Sequence, residues 1–323
     1  MLKDIALNTL PGLEDLPDEV TIPGYAEDHP WIPNQDQNYV FRKDDVRVVL
    51  GHLSTPSPEG LLLTGPRGCG KSSVVYQLHA WLRRPLVAVS GYKQAEFEDL
   101  LGTKEIVDGD TLTMDGPLVQ ALGTPYCTFL FDEIDRAAPG VSVALNSLLD
   151  GYDLVHVLDS GRRIPPAEGF RFMSTANTNG MGDLSGDYNT AHVLDTAFID
   201  RNWVHSVWYP TPDEEFRILR GAVDPDIADD PIHRSIRLAN DVRYLYTGRD
   251  NEASASGQAL GVSGSIETTM STRSLVMLWR VMMLFPNVDQ PIIHALKLAV
   301  TNKCTPEGAE AIHRLAEAHF GDG

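Results

Sequence analysis

The sequence predicts an α/β fold, in which a five-stranded parallel sheet lies between helices and a smaller helical domain follows. Three observations predict this fold. A glycine-rich segment at 65–73 follows an apolar run and precedes a helical pattern. Two further apolar runs end in polar residues, at Asp132-Glu133 and at Asn177. After residue 210 the pattern is helical, with apolar residues at helical spacing.

The glycine-rich segment reads GPRGCGKSS and matches G-x-x-x-x-G-K-[ST] between a strand and a helix. In this setting glycines let backbone N–H groups surround phosphate oxygens, and the next helix directs its positive end at the same anion. We expect Lys71 to reach the β- and γ-phosphates and the Ser72 hydroxyl to ligate Mg²⁺. The residues expected to hold the nucleotide are Gly65, Pro66, Arg67, Gly68, Cys69, Gly70, Lys71, Ser72 and Ser73.

The two polar strand ends supply the remaining chemistry. Ligands bind at the carboxyl ends of strands in α/β sheets, and the run at 128–133 delivers two carboxylates there. We expect Asp132 to hold Mg²⁺, directly or through water, and Glu133 to polarise the attacking water. Asn177 ends the strand predicted at 170–177, where its side-chain amide could donate a hydrogen bond to the γ-phosphate or to the attacking water. An Asn at this place is also typical of a turn. These residues predict ATP hydrolysis with Mg²⁺.

The composition argues against several other classes of protein. The chain has 26 Lys+Arg against 45 Asp+Glu, and the net charge of −19 disfavours general binding of nucleic acid or anionic membranes. The three cysteines form no C-x-x-C pair, so neither a zinc site nor a disulfide framework is expected. No apolar run approaches the ~20 residues of a membrane span. We therefore expect a cytoplasmic protein without a membrane segment.

The domains follow from changes in composition along the chain. Residues 1–40 are rich in proline and acidic residues and predict an extended arm. Residues 41–210 form the predicted α/β nucleotide-binding domain, and 211–323 the predicted helical lid domain. A Gly- and Ser-rich loop at 250–265 is expected to be mobile.

Local patterns place the other elements. The helix predicted at 44–53 either covers the nucleotide base or only packs against the core. Hairpins are predicted at 106–112, around an Asp-Gly turn, and at 155–164. The other predicted strands are 86–90 and 203–208, and the other predicted helices are 71–84, 94–101, 116–122, 141–149, 193–199, 213–220, 231–247, 272–285, 290–300 and 306–319.

The order of these elements resembles the AAA+ ATPases, specifically their MoxR branch. The hairpin within the second helix and the hairpin before the Asn-ended strand are typical of that branch. Several segments also resemble the cobaltochelatase ATPase subunit family, CobS, over roughly residues 30–320. These segments are 36–41, 174–178, 182–188, 200–201, 269–273 and 298–304.

The resemblance implies roles for two arginines. Arg201 corresponds to the arginine finger, which reaches the γ-phosphate of the neighbouring subunit and stabilises the transition state in trans. Arg273 corresponds to the lid arginine that contacts the phosphates in cis. Arg136, close behind the Asp-Glu pair, is the alternative finger.

The resemblance also implies an assembly. Members of the family form rings, so a homohexamer is expected, with ATP hydrolysed at the subunit interfaces. The two hairpins would face the pore or one end of the ring. The expected partner contains a VWA domain, as in the CobS–CobT pair, and a large chelatase subunit holds the corrin that receives Co²⁺.

Three other functions remain open. A MoxR-type chaperone would remodel a different VWA-protein complex, in a phage or plasmid setting. A DNA-dependent motor is opposed by the net charge and by the lack of a basic stripe with aromatic residues. A nucleotide switch that only binds is opposed by the presence of Glu133 and Arg201.

Overall fold

The computed structural model describes residues 1–107, 110–178, 192–247, 266 and 268–321. The chain divides into two compact units near the boundary expected at residue 210. The N-terminal unit comprises Met1–Gln37, Phe41–Pro66 and Gly70–Trp208, and the C-terminal unit comprises Asn38–Val40, Arg67–Cys69 and Tyr209–Gly323. The predicted Asp-Gly turn at 108–109, the segment 182–188 and the loop 250–265 lie outside the described residues.

Every strand in the described residues belongs to the N-terminal unit. In chain order they are β1 (Leu2–Ala6), β2 (Thr21–Tyr25), β3 (Gly60–Thr64), β4 (Leu86–Ser90), β5 (Gly102–Val107), β6 (Asp110–Asp115), β7 (Thr128–Asp132), β8 (Leu154–His156), β9 (Arg162–Ile164), β10 (Arg171–Ala176) and β11 (Asn202–Ser206). The helices of this unit are α1 (Lys43–Ser54), α2 (Lys71–Trp81), α3 (Phe97–Leu101), α4 (Pro117–Leu122), α5 (Pro139–Leu149) and α6 (Thr196–Ile199).

The central sheet has five parallel strands in the order β11-β3-β10-β7-β4. Strands β3 and β7 contain the apolar runs Leu61–Leu63 and Phe129–Phe131, which are almost fully buried. Such runs are typical of strands covered on both faces. The predicted five-stranded parallel sheet is confirmed.

The first 40 residues differ from the prediction of an extended arm. Strands β1 and β2 pair antiparallel, from Leu2 opposite Tyr25 to Ala6 opposite Thr21. Leu7, Leu10 and Ile22 are buried in this segment. The extended arm is therefore wrong for these residues, because the two strands pair and the apolar side chains of Leu7, Leu10 and Ile22 are removed from water.

Two hairpins project outside the central sheet, where the sequence predicts them. Strands β5 and β6 form the first, and β8 and β9 form the second. The Asp115 carboxylate accepts a hydrogen bond from the Arg162 guanidinium, which joins the two hairpins. The first hairpin exposes apolar side chains, among them Ile106 at 79%.

The C-terminal unit is helical, as the sequence predicts. Its helices are α7 (Pro212–Arg220), α8 (Asp229–Thr247), α9 (Thr272–Leu284), α10 (Pro291–Ala299) and α11 (Pro306–Phe320). They enclose a separate core that contains Leu238, Leu278 and Trp279. In the described part of the chain, no helix combines the length and apolar character that a membrane span requires.

Candidate active site

The sheet register brings three polar strand ends together. Thr64, at the end of β3, lies opposite Ala176 of β10, and Ser174 of β10 lies opposite Phe131 of β7. All three strands run in the same direction, so the segments that follow them meet at one edge of the sheet. We call this edge, with the side chains of Lys71, Ser72, Asp132, Glu133 and Asn177, the catalytic edge.

Lys71 begins α2 directly after the glycine-rich loop. Gly70 precedes it with φ of +101°, a left-handed conformation that favours glycine. The Lys71 ammonium donates hydrogen bonds to the carbonyl oxygens of Gly65, at 2.8 Å, and Pro66, at 3.0 Å, and to Asn177 Oδ1, at 3.0 Å. Two loop carbonyls and Asn177 thus hold the buried ammonium that the sequence predicts to contact phosphates.

Ser72 and Asp132 form the part of the edge that suits a divalent cation. Ser72 Oγ donates a hydrogen bond to Asp132 Oδ1 at 2.6 Å, and Thr175 Oγ1 donates to the same oxygen at 2.5 Å. A hydroxyl and a carboxylate are the hard oxygen ligands that Mg²⁺ prefers beside nucleotide phosphates. The donor set therefore fits Mg²⁺, with Ser72 and Asp132 as the residues that would hold it.

Glu133 has an unusual backbone for a residue with a side chain. Its φ is +53°, in the left-handed region, and such outliers cluster at functional sites. Only glycine at position 91 leaves room for the Glu133 backbone, because a Cβ at position 91 would lie 2.1 Å from the Glu133 carbonyl oxygen. The Gly91 N–H donates to the Asp132 carbonyl at 2.6 Å. Gly91, directly after β4, therefore holds the backbone that links Asp132 and Glu133.

The Glu133 carboxylate is held at both oxygens. Arg136 Nη1 lies 2.5 Å from Oε2, and Asn177 Nδ2 donates to Oε1 at 3.3 Å. Asn177 thus links the ammonium of Lys71 to this carboxylate. The Glu133 side chain keeps 28% of its surface exposed, so water reaches it.

The other predicted site residues are carried by several different elements. Arg201 follows α6 on the surface, where its Nε is 2.8 Å from Asp150 Oδ1. Arg136, the alternative finger, is paired with Glu133 of its own chain. Arg273 is an exposed residue in the first turn of α9, in the C-terminal unit. Arg67, Gly68 and Cys69 are also grouped with that unit, and Tyr209 Oη donates to the Arg67 carbonyl at 3.1 Å.

Sequence reasoning missed two residues of the edge. Thr175 links Asp132 to the Glu133 N–H, which donates to Thr175 Oγ1 at 2.9 Å. Asp135 is fully buried, and burial raises the pKa of its carboxyl group, whereas hydrogen bonds from Asn177 and Thr178 oppose the rise. Thr175 could have been predicted from its position two residues before Asn177 on the same predicted strand. Asp135 could have been predicted as the third acidic residue that follows strand β7, after Asp132 and Glu133.

Comparison with known proteins finds an AAA domain and similar proteins. Residues 60–201 match the model of the AAA domain (dynein-related subfamily). The aerobic cobaltochelatase subunit CobS of Sinorhizobium sp is 26% identical over 88% of this chain and 82% of its own length. Protein NorQ of Paracoccus denitrificans is 28% identical over 71% of this chain and 80% of its own length.

A solved structure shows the same fold. A mutant of Thermotoga maritima RuvB superposes with a TM-score of 0.50 at 12% identity, covering 86% of this chain and 75% of that chain. At this identity the likeness concerns the fold alone. The matched AAA domain at 60–201 and the sheet order agree with each other, and over most of its length the chain is similar to CobS and NorQ.

Proposed function

We propose that this protein hydrolyses Mg-ATP at the subunit interfaces of a ring and uses the hydrolysis to drive a partner complex. The observation that carries the proposal is the convergence of a buried lysine, a Ser–Asp pair and a Glu–Asn pair at one edge of the sheet. No single strand end is specific for ATP hydrolysis. Together they supply the charges that phosphoryl transfer needs.

Each residue of the catalytic edge has a role in this proposal. Lys71 binds the β- and γ-phosphates, in place of the carbonyl and amide oxygens that it now contacts. Ser72 and Asp132 hold Mg²⁺, which neutralises charge on the phosphate oxygens. Glu133 orients the attacking water and accepts its proton, and Asn177 contacts the γ-phosphate or the same water.

Arg201 completes the site from the neighbouring subunit in this proposal. Its side chain is 32% exposed, and its guanidinium contacts the Asp150 carboxylate and the Ala197 carbonyl. In the ring it exchanges the Asp150 carboxylate for a phosphate bound by the neighbouring subunit. A cation supplied in trans stabilises the charge that develops in the transition state. Hydrolysis then depends on assembly, for which we propose a homohexamer. We also propose that Arg273 contacts the phosphates of its own subunit.

The proposed partner is a VWA-domain protein. Similarity to CobS over most of the chain supports a CobS-like role, in which ATP hydrolysis drives cobalt chelation together with a CobT-like protein and a large chelatase subunit. Similarity to NorQ favours a second candidate, remodelling of a different VWA-protein complex. A DNA-dependent motor fits the net charge of −19 poorly.

The first experiment tests nucleotide binding. Lys71→Ala removes a buried charged donor, so we expect affinity for Mg-ATP to fall by about 10²-fold or more. The matched control is Lys104→Ala, at an exposed position on β5, which should bind normally. Wild-type affinity in Lys71→Ala, measured by calorimetry, would contradict the assignment of the loop.

The second experiment separates the two partner roles. The purified protein is combined with its VWA partner, the large subunit, a corrin and Co²⁺, and ATPase rate and cobalt insertion are measured together. ATP-dependent insertion supports the CobS-like role. A VWA protein that stimulates the ATPase without insertion supports remodelling of another complex.

A further inference from the structure

A buried carboxylate without a role in the proposed reaction lies beneath the catalytic edge. Asp135 belongs to the single 3-10 turn Ile134–Arg136 that follows β7, and its side chain is fully buried. Its Oδ2 accepts hydrogen bonds from the backbone N–H of Asn177, at 2.9 Å, and of Thr178, at 3.3 Å, and from Thr178 Oγ1, at 3.3 Å. Burying a carboxylate is costly, so these donors are needed to keep it there.

The position of these donors indicates how the Asp135 carboxylate supports the end of strand β10. The register of β10 with β7 has Ser174 opposite Phe131, and its register with β3 ends with Ala176 opposite Thr64. The Asn177 N–H therefore lies beyond the last residue pair that the two registers contain. Asp135 provides the acceptor that a neighbouring strand provides elsewhere in the sheet, and so it extends the order of β10 by two residues.

We propose that Asp135 is a positioning residue for catalysis, which acts by fixing the backbone at Asn177. With that backbone fixed, the Asn177 side chain lies between Lys71 Nζ, at 3.0 Å, and Glu133 Oε1, at 3.3 Å. A misplacement of about 1 Å in such an arrangement can lower a rate by about 10²-fold. The inference rests on the proposed function, because the place of Asn177 affects a rate only if this edge hydrolyses ATP.

A double-mutant cycle on the full-length protein tests the inference. We expect Asp135→Ala to lower kcat by on the order of 10²-fold while the affinity for ATP is kept. Added to Asn177→Ala, it should lower kcat little further, because both changes remove the same interaction. A double variant whose loss equals the product of the two single losses would overturn the inference, since Asp135 would then not act through Asn177.

Hydrogen exchange gives a readout that does not depend on activity. Asp135→Asn keeps one accepting oxygen, so its amides at 177 and 178 should exchange more slowly than those of Asp135→Ala. Protection in β3 should stay at the wild-type level in both variants. Wild-type protection at 177 and 178 in Asp135→Ala would overturn the inference. Thr178→Val removes only the hydroxyl donor and serves as the control, with a smaller effect than Asp135→Ala.

The two readouts separate failure of this inference from failure of the proposed function. If Asn177→Ala keeps the wild-type kcat, the proposed catalytic role of Asn177 is wrong and the kinetic link from Asp135 is overturned with it. If Asn177→Ala lowers kcat but Asp135→Ala does not, only the inference is overturned.

Discussion

The catalytic edge and the C-terminal unit each contain an ion pair between an arginine and a glutamate, but the two pairs differ in their exposure to solvent. In the C-terminal unit, Arg243 forms two parallel hydrogen bonds with Glu215, at 2.7 and 2.8 Å, and the side chains are 2% and 0% exposed. At the catalytic edge, Glu133 is paired with Arg136 through one contact, and these side chains are 28% and 42% exposed. One pair is closed to solvent, whereas the other is open to it.

The closed pair is also supported from several sides. Thr272 Oγ1 donates to Glu215 Oε1 at 2.7 Å, and Arg243 Nε donates to the Met270 carbonyl at 2.7 Å. The Arg243 guanidinium lies over the Tyr209 ring, 4.4 Å from its centroid. These contacts occupy both carboxylate oxygens, so the pair stabilises the helical unit and has no capacity for a ligand.

The difference distinguishes a structural ion pair from a site. A buried pair with saturated hydrogen bonds is costly to break, because the remaining partner is left charged and buried. In the proposed function, the contacts of Lys71, Ser72 and Glu133 are instead exchanged for phosphate, Mg²⁺ and water. Substitutions in the two regions should therefore change different quantities, rate in one and stability in the other.

The largest expected effect is on rate. Glu133→Gln removes the group that accepts the proton of the attacking water, so kcat should fall roughly 10²–10⁴-fold. Affinity for ATP should be kept, and the free energy of unfolding should change little, because the side chain is partly exposed. Steady-state ATPase assays and calorimetry measure the two quantities. Unchanged turnover would remove Glu133 as the catalytic carboxylate.

The next effect is on stability, in the other region. Glu215→Ala leaves the Arg243 guanidinium buried without its carboxylate, so unfolding of the protein should become easier by about 3–5 kcal/mol. Urea denaturation measures this change. Glu310→Ala, at an exposed ion pair on α11, is the matched control and should cost less than about 1 kcal/mol. A loss in Glu215→Ala as small as in the control would contradict the structural role.

Acid should act on the N-terminal unit through two buried histidines. Burial lowers the pKa of His79 to about 3 and that of His52 to about 4, below the ordinary value of 6.5. The unfolded chain therefore binds more protons, and stability is lost as the pH falls below about 6.5 towards these values. Between about pH 7 and about pH 5, each group should cost roughly 1–2 kcal/mol.

The pH dependence has a direct check. His79→Gln should flatten the decline of the free energy of unfolding between neutral and mildly acidic pH, because it removes one of the two titrating groups. Urea denaturation at several pH values measures the slope. A slope in His79→Gln equal to that of the wild type would show that this histidine does not contribute.

The smallest expected effect concerns the open pair itself. Arg136→Ala removes a partly exposed ion pair, so the free energy of unfolding should change by less than about 1 kcal/mol. Because Arg136 contacts Glu133 of its own chain, its removal should lower kcat less than Arg201→Ala does. If Arg136→Ala instead lowers kcat more than Arg201→Ala does, Arg136 and not Arg201 would be assigned as the arginine finger.

Much of the fold could be predicted from local patterns. Strands β3, β4 and β7 of the central sheet contain apolar runs, and their observed bounds lie close to those predicted from the sequence. Strands β1 and β2 were not predicted, because the many proline and acidic residues at 1–40 are untypical of strands. Pairing of β1 with β2 joins residues about twenty apart, and Pro23 within β2 argues against a strand by itself.

The candidate site was predictable in part for the same reason. Parallel strands end at one edge of a sheet, so a loop lysine, two carboxylates and an Asn after three strands were expected to meet there. The links made by Thr175, Asp135 and Gly91 depend on the left-handed backbone of Glu133 and on pairing between distant segments. Neither can be read from residue order, because each arises from tertiary contacts.

The most direct test of the account mixes two inactive variants. We expect Lys71→Ala to bind nucleotide weakly, and Arg201→Ala lacks the proposed trans cation, so each alone should have very low ATPase activity. In a ring, an Arg201→Ala subunit that keeps its loop can meet the intact Arg201 of a Lys71→Ala neighbour. An equimolar mixture should then regain about a quarter of the wild-type rate, because one in four head-to-tail interfaces is complete. No recovery, or a full rate from strictly monomeric protein, would contradict the account.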